Sequence, residues 1–134
     1  MLPKLEDWNR VSYRVIGCCF NVHRRLGPGL LESVYEDSLA LEMMRQGLSF
    51  EQQRAVPVHY DGEIVGDSLR LDFLIEDTVV LEVKAVEALQ KIHGVQLLTY
   101  LKLTRRPLGL LVNFNTISLQ QGIKRVIHTP ESSS

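Results

Sequence analysis

Two neighbouring apolar strands that carry three charges constrain the fold of this chain more than any other feature. Residues 69–75 read Leu-Arg-Leu-Asp-Phe-Leu-Ile, and residues 79–84 read Val-Val-Leu-Glu-Val-Lys. Asp72, Glu82 and Lys84 therefore interrupt two runs that are typical of sheet strands. Because charged side chains are costly to bury unless they are paired or bind a metal, this strand pair requires an explanation.

The length of the connection at 76–78 decides whether the three charges can act together. Side chains alternate between the two faces of a strand, so Glu82 and Lys84 share one face, and Asp72 shares a face with Leu74. A three-residue connection places Asp72 directly across from Glu82, with side-chain roots about 5 Å apart. A two-residue connection would put the two carboxylates on opposite faces.

This arrangement has two interpretations. A pair of carboxylates beside a lysine suits one hard divalent cation, since Mg²⁺ takes one or two carboxylates together with water and substrate phosphate. A cross-strand salt bridge in a purely structural sheet accommodates the same three charges. The strand pair alone does not decide between them.

Composition limits the classes of function. The 134 residues carry a net charge of −1, so the chain has no general excess of positive charge, and contact with nucleic acid requires a local basic patch. No stretch approaches the roughly 20 apolar residues of a membrane span, and no signal-peptide pattern opens the chain. Cys18 and Cys19 are adjacent, which disfavours a disulfide between them, and no His or Cys spacing indicates zinc. We expect a cytoplasmic protein with no membrane association.

Apolar periodicity predicts three helices, at 8–26, 30–46 and about 86–103. Gly27-Pro28-Gly29 separates the first two, with Pro28 in the first turn of the second. The second helix has a wide apolar arc that predicts packing against a sheet. The arc consists of Leu30, Leu31, Val34, Tyr35, Leu39, Met43 and Met44.

The remaining segments complete a sheet. Residues 50–60 alternate as a strand, in which Pro57 indicates an edge position or a bulge, and Asp61-Gly62 is a strong hairpin signal. The apolar run 108–114 follows a helix, which predicts a crossover onto the same sheet. The stretch 120–128 fits either a short helix or a strand. We expect a single domain at 8–128, followed by a frayed tail at 129–134.

The second helix carries a pair of acidic residues. Glu32 and Glu36 lie one turn apart on one face, with Tyr35 beside them. Like charges at that spacing repel unless they share a cation. Glu32 has a simpler explanation as well, because a carboxylate in the first turn of a helix is favoured by the helix dipole.

The third helix places Gln96 and Tyr100 on one face, with His93 one turn earlier. The same residues also fit an ordinary contact between a helix and a sheet, in which the tyrosine hydroxyl finds a partner.

Taken together, these residues resemble a known family. The ordered set resembles the PD-(D/E)XK nuclease superfamily, and its first motif is the one that names the GxxExxY protein family. The set consists of Gly29-x-x-Glu32-x-x-Tyr35, Asp72, Glu82-Val83-Lys84 and Gln96-x-x-x-Tyr100. The resemblance extends over about 11–126. Leu71 stands where the superfamily name has proline, which removes no metal ligand.

The resemblance implies an α/β, single-domain restriction-endonuclease-like fold, with a central mixed β-sheet flanked by α-helices. It also implies that Asp72, Glu82 and the backbone carbonyl of Val83 hold Mg²⁺ or Mn²⁺. Glu32 would reach the ion directly or through water. Lys84 would orient or activate the attacking water and stabilise charge on the phosphate.

Further roles follow from the same resemblance. Gln96 and Tyr100 would position the lysine or the scissile phosphate. Tyr35, Glu36 and His93 would lie behind the metal ligands and support them, although Glu36 also fits a solvated charge and His93 a surface histidine.

The implied function is a metal-dependent nuclease, with DNA favoured over RNA as substrate. The alternative is a non-catalytic nucleic-acid-binding or protein-interaction module on the same fold, as part of a repair or defence assembly. A domain of this size has no room for a separate specificity module. Either the substrate is generic, or a second subunit in a homodimer or a partner protein supplies recognition.

Overall fold

The computed structural model describes residues 5–129, with side chains from Asp7 onward. This part of the chain forms a five-stranded mixed sheet, a small hairpin and three α-helices, so the predicted α/β architecture is confirmed. The elements are α1 (Leu5–Leu26), α2 (Glu32–Arg45), β1 (Phe50–Val56), β2 (His59–Tyr60), β3 (Glu63–Ile64), β4 (Leu69–Ile75), β5 (Val79–Lys84), α3 (Lys91–Thr104), β6 (Leu108–Asn113), a 3-10 turn (Leu119–Gly122) and β7 (Ile123–Ile127). None of the described helices is long and apolar enough to cross a membrane.

The sheet has the strand order β1-β4-β5-β6-β7. β5 and β6 are parallel, joined by the crossover through α3, and the other neighbours are antiparallel. In the β4–β5 hairpin Ile75 pairs with Val79, so the predicted three-residue connection is confirmed. Continued beyond the Phe73–Leu81 pair, this register puts Asp72 across from Glu82.

Helices cover both faces of the sheet. α1 and α2 contribute to one apolar cluster, and α3 contributes to a second cluster on the opposite face. Leu71 and Leu74 both belong to the α3 cluster, while Phe73 belongs to the other. In a regular strand Leu71 and Phe73 would lie on the same face of the sheet. The expected alternation of side chains along β4 is therefore wrong at Asp72.

The break in alternation has a local cause in the neighbouring edge strand. β1 and β4 keep the same register before and after Asp72, with Gln52 paired to Phe73 and Arg54 paired to Leu71. Between these pairs, Gln53 and Asp72 do not pair. Gln53 has a φ of 54°, a left-handed conformation that is rare inside a strand. The two strands are thus distorted at the position of the candidate carboxylate.

α2 differs from its prediction in extent and in packing. It begins at Glu32 instead of at residue 30, so Pro28 lies in the preceding loop. The expectation of a wide buried arc is wrong: of the apolar residues in that arc, only Tyr35, Leu39 and Met43 are buried. These three are spaced by four residues and form a narrow stripe, because α2 lies beside α1 instead of flat on the sheet.

The structure also sets the boundaries of the elements after β5. α3 begins at Lys91, because residues 86–90 form a loop that Asn113 holds through hydrogen bonds to the backbone of Val86, at 3.0 and 2.9 Å. The open choice at 120–128 resolves into the end of the 3-10 turn followed by β7. Of the predicted tail, all but Thr129 lies outside the described residues.

The strand predicted at 50–60 divides in two, since β1 ends at Val56 and His59–Tyr60 form β2 of the separate hairpin, whereas the predicted turn at 61–62 is confirmed. β1 is an edge strand that ends at Val56, as Pro57 indicated. Asp61 and Gly62 join β2 to β3 with φ values of 51° and 81°, the paired left-handed geometry of a tight hairpin turn.

Tyr35 fastens the loop that sets the start of α2. Its hydroxyl donates to the carbonyl of Gly27 at 2.6 Å and accepts from the N–H of Leu30 at 3.1 Å. The ring is fully buried and stacks on Phe114 at 4.8 Å. Gly29, with a φ of 99°, supplies a turn that other residues adopt with strain. This loop therefore fixes the place where Glu32 enters the helix.

We expect Tyr35→Phe to lower the free energy of unfolding by about 1–3 kcal/mol, because the loop carbonyl and N–H lose their partner. Urea denaturation measures the change. Tyr13→Phe is the matched control, since Tyr13 is 80% exposed on α1 and its substitution should have an effect within about 0.5 kcal/mol. Equal stability of the two variants would contradict this role for the Tyr35 hydroxyl.

Candidate functional site

Asp72 and Glu82 are interlocked across the β4–β5 hairpin. The backbone N–H of Asp72 donates to Oε2 of Glu82 at 2.9 Å, and the N–H of Val83 donates to Oδ2 of Asp72 at 2.7 Å. Each carboxylate thus accepts a hydrogen bond from the backbone of the opposite strand. Glu82 is only 6% exposed, so these two charges meet in a largely dry environment.

The electrostatics of the pair follow from this burial. Desolvation, followed by the charge of Asp72, raises the pKa of Glu82 to about 8. Desolvation also raises the pKa of Asp72, to about 6, although the hydrogen bond from Val83 opposes the shift. Negative charge on both carboxylates at once is therefore unfavourable at this point.

Two carboxylates of α2 add to that negative charge. The charges of Glu36 and Glu32 both raise the pKa of Asp72, which places them close to it. Glu36 is buried, whereas Glu32 is exposed at the first position of the helix. The view of Glu36 as a solvated charge is wrong, because α2 turns it toward the sheet.

Gln53 connects α2 to β4, and sequence reasoning missed it. Its Nε2 donates to both carboxylate oxygens of Glu36, at 3.0 and 2.9 Å, and lies 3.3 Å from Oδ1 of Asp72. Gln52 supports the same glutamate with a 2.7 Å hydrogen bond. The left-handed backbone of Gln53 is a locally strained conformation beside these carboxylates. The two adjacent glutamines in a strand were the available hint.

Lys84 and Tyr100 complete the surroundings of the pair. The charge of Lys84 lowers the pKa of both Asp72 and Glu82 and so opposes the effect of burial on them. Burial and then the charges of Glu82 and Asp72 raise the pKa of Tyr100, which keeps its hydroxyl protonated near the carboxylates. The structure thus gathers the hairpin charges, the α2 carboxylates and one α3 side chain.

Other predicted residues lie apart from this group. Gln96 is exposed and forms no hydrogen bond within the described residues. His93 accepts the N–H of Gln90 at 2.9 Å through Nδ1 and so caps the start of α3. Tyr35 contacts the preceding loop, and the side chain of Val83 belongs to the α1–α2 core cluster, which leaves only its backbone at the hairpin site.

The donor set fits a hard divalent cation. Within residues 5–129 no three His, Cys, Asp or Glu side chains form a ready-made metal cluster. Mg²⁺ requires less than that, because one or two carboxylates with water are its usual protein ligands. Asp72 and Glu82 would hold such an ion, and its positive charge would offset the repulsion that raises their pKa values.

We expect the metal-free protein to lose stability as the pH rises. The pKa of Glu82 is raised from its ordinary 4.5 to about 8 in the fold, so its contribution is fully present below pH 4.5 and is lost as the pH passes about 8. Glu82→Gln should flatten this decline and be more stable than wild type at alkaline pH. Urea denaturation in EDTA across this pH range measures both slopes. Glu87→Gln, on an exposed loop residue, is the matched control, and a Glu82→Gln slope equal to that of wild type would contradict the burial argument.

The fold and the sequence were compared with known proteins. The chain is similar to the crystal structure of SSO0001, with a TM-score of 0.52 and 19% sequence identity, which shows a shared fold. The match covers 75% of this chain and 52% of SSO0001, so this chain spans about half the length of that one. No curated protein matches the chain.

A family model provides the stronger result. The model of the PD-(D/E)XK nuclease superfamily matches residues 9–126. This range includes every candidate site residue. The five-stranded mixed sheet with helices on both faces is the restriction-endonuclease-like arrangement expected of that superfamily. The chain therefore belongs to the PD-(D/E)XK nuclease superfamily.

Proposed function

We propose that this protein is a divalent-metal-dependent nuclease that hydrolyses phosphodiester bonds, with DNA favoured over RNA. Its superfamily consists generally of nucleases, which supports the reaction class. The observation that carries the proposal is the buried Asp72–Glu82 pair with Lys84 beside it. Such a pair would weaken a purely structural sheet, since burial raises the pKa of both carboxylates and the charge of Lys84 only partly opposes the shift.

In the proposed mechanism Asp72 and Glu82 hold Mg²⁺ or Mn²⁺, with the Val83 carbonyl and Glu32 as further ligands. An ion in this position would neutralise charge on the phosphate and lower the pKa of water. Gln53 fixes the carboxylate of Glu36 against Asp72, so that the acidic side of the site is held in place before substrate binds.

Lys84 and Tyr100 act on the substrate side of this mechanism. The ammonium of Lys84 orients the attacking water and stabilises the negative charge that develops on the phosphate. The protonated hydroxyl of Tyr100 donates a hydrogen bond to a phosphate oxygen. In this proposal Gln96 contacts substrate only at the exposed surface of α3.

We also assign the chain to the GxxExxY group within the superfamily. The support is that each residue of the motif has its own structural role. Gly29 makes a left-handed turn and Tyr35 ties down the loop, so that Glu32 begins α2 on the side facing Asp72. We further propose that either the substrate is generic or a second subunit or a partner protein contributes to its recognition.

Cleavage of single-stranded DNA, duplex DNA and RNA in Mg²⁺, Mn²⁺ or EDTA tests the proposal. We expect cleavage only with a divalent ion. Asp72→Asn and Lys84→Ala should each reduce the rate by about 10²–10³-fold, because each removes charge that acts on the transition state.

Matched controls separate these effects from general loss of charge. Glu87→Gln and Lys91→Ala remove one carboxylate and one lysine from exposed positions, and both should retain wild-type rates. Activity in EDTA, or activity that survives both site substitutions, contradicts the proposal. A wild-type protein that binds nucleic acid but cleaves none of the substrates fits the non-catalytic module instead.

A further inference from the structure

A basic groove lies between the end of β1, the start of the small hairpin and the end of α3. It has a volume of about 570 Å³, which is within the range of ligand-binding clefts. None of the residues that line it is acidic. Its positively charged or titratable lining residues are Arg54, His59, Lys102, Arg105 and Arg106.

This concentration of charge stands out against the rest of the chain. The protein has 15 Lys and Arg against 16 Asp and Glu, yet four of its basic residues line this one groove. The candidate active site is acidic by contrast, because Asp72 and Glu82 are interlocked there and the charges of Glu36 and Glu32 act on Asp72. A polyanionic substrate therefore needs positive charge beside the site to offset repulsion from it.

Simpler explanations account for only part of the groove. Lys102 and Arg105 lie at the end of α3, where cations are favoured by the helix dipole. Arg54 pairs with Glu51 at 3.1 Å, and Arg106 pairs with Asp77 at 2.5 Å. The dipole does not explain why a strand and a hairpin bring Arg54 and His59 to the same cleft. Lys102 and Arg105 are exposed and form no ion pair within the described residues, so their charges are available.

The groove adjoins the candidate active site through two elements. Arg54 directly follows Gln53, whose side chain touches Asp72. Thr104, another lining residue, lies four residues after Tyr100 on α3, an axial distance of about 6 Å, and its Oγ1 donates to the Tyr100 carbonyl at 2.8 Å. A polynucleotide with one phosphate at the site can therefore extend into the groove.

We propose that this groove binds the phosphate backbone of the nucleic-acid strand whose scissile phosphate lies at Asp72, Glu82 and Lys84. The proposal rests on the function proposed above and adds to it the path of the substrate. Lys102 and Arg105 supply the unpaired charges, and Arg54 and Arg106 form the walls. Recognition is of phosphate, so it is independent of base sequence.

Fluorescence anisotropy in EDTA tests the groove without cleavage. The probes are labelled single-stranded DNA, duplex DNA and RNA of one sequence, each titrated at several salt concentrations. In Lys102→Gln/Arg105→Gln we expect Kd to rise by about tenfold, and the slope of log K against log salt to become shallower by about 1.4–1.8, because two phosphate contacts are lost. Arg105→Gly removes one of these charges while relieving a left-handed φ of 56°, so it remains informative if the double variant folds poorly.

Arg25→Gln/Arg45→Gln is the matched control, since it removes two charges from the ends of α1 and α2, outside the groove. It should bind as wild type does. Equal affinity and salt slope in the groove variant and the control overturn the groove while leaving the nuclease proposal intact. Weaker binding by the groove variant together with no cleavage by wild type supports the groove and counts against the nuclease. The groove proposal is overturned if wild type binds none of the nucleic-acid probes, or if it binds polyaspartate more tightly than it binds those probes.

Discussion

The fold depends at its centre on two hydrogen bonds between carboxylates and the backbone of the opposite strand. Asp72 and Glu82 accept N–H groups of Val83 and Asp72 at a point where the ladder would otherwise continue. These bonds hold two like charges together in a buried position, which neither side chain would occupy alone. The edge strand is distorted at Gln53 to meet them, and α2 is anchored by Tyr35 so that its acidic first turns face them.

This arrangement costs stability in the absence of a bound cation. Burial raises the pKa of both hairpin carboxylates, the charges of Glu36 and Glu32 raise that of Asp72 further, and the charge of Lys84 only partly opposes these shifts. A structural sheet would gain by replacing such a pair with apolar residues. Retention of the pair is physically reasonable when a cation binds there, because the ion converts the repulsion into coordination. The same acidity makes a separate basic surface necessary for a polyanionic substrate, and the groove at the end of α3 has that character.

Much of the fold was predictable because the residues concerned act locally. The three-residue connection at 76–78 set the β4–β5 register, and Asp61-Gly62 set the small hairpin. The packing of α2 was not predictable, because its wide apolar arc does not reveal that α1 and the sheet together cover only the narrow stripe of Tyr35, Leu39 and Met43. The contacts of Gln53 were also not predictable, since they depend on a backbone distortion and on Glu36, which is 17 positions away. Gln96 and His93 shared a helix face with Tyr100 in sequence, yet only Tyr100 turns toward the carboxylates.

Direct measurement of Mn²⁺ binding by isothermal titration calorimetry tests the central claim, that Asp72 and Glu82 form a cation site. The account predicts one binding event in wild type and in Glu87→Gln, and its loss in an Asp72→Asn/Glu82→Gln variant whose circular dichroism shows an intact fold. Mn²⁺ binding of wild-type strength in that double variant, or no binding by the wild type, would contradict the account.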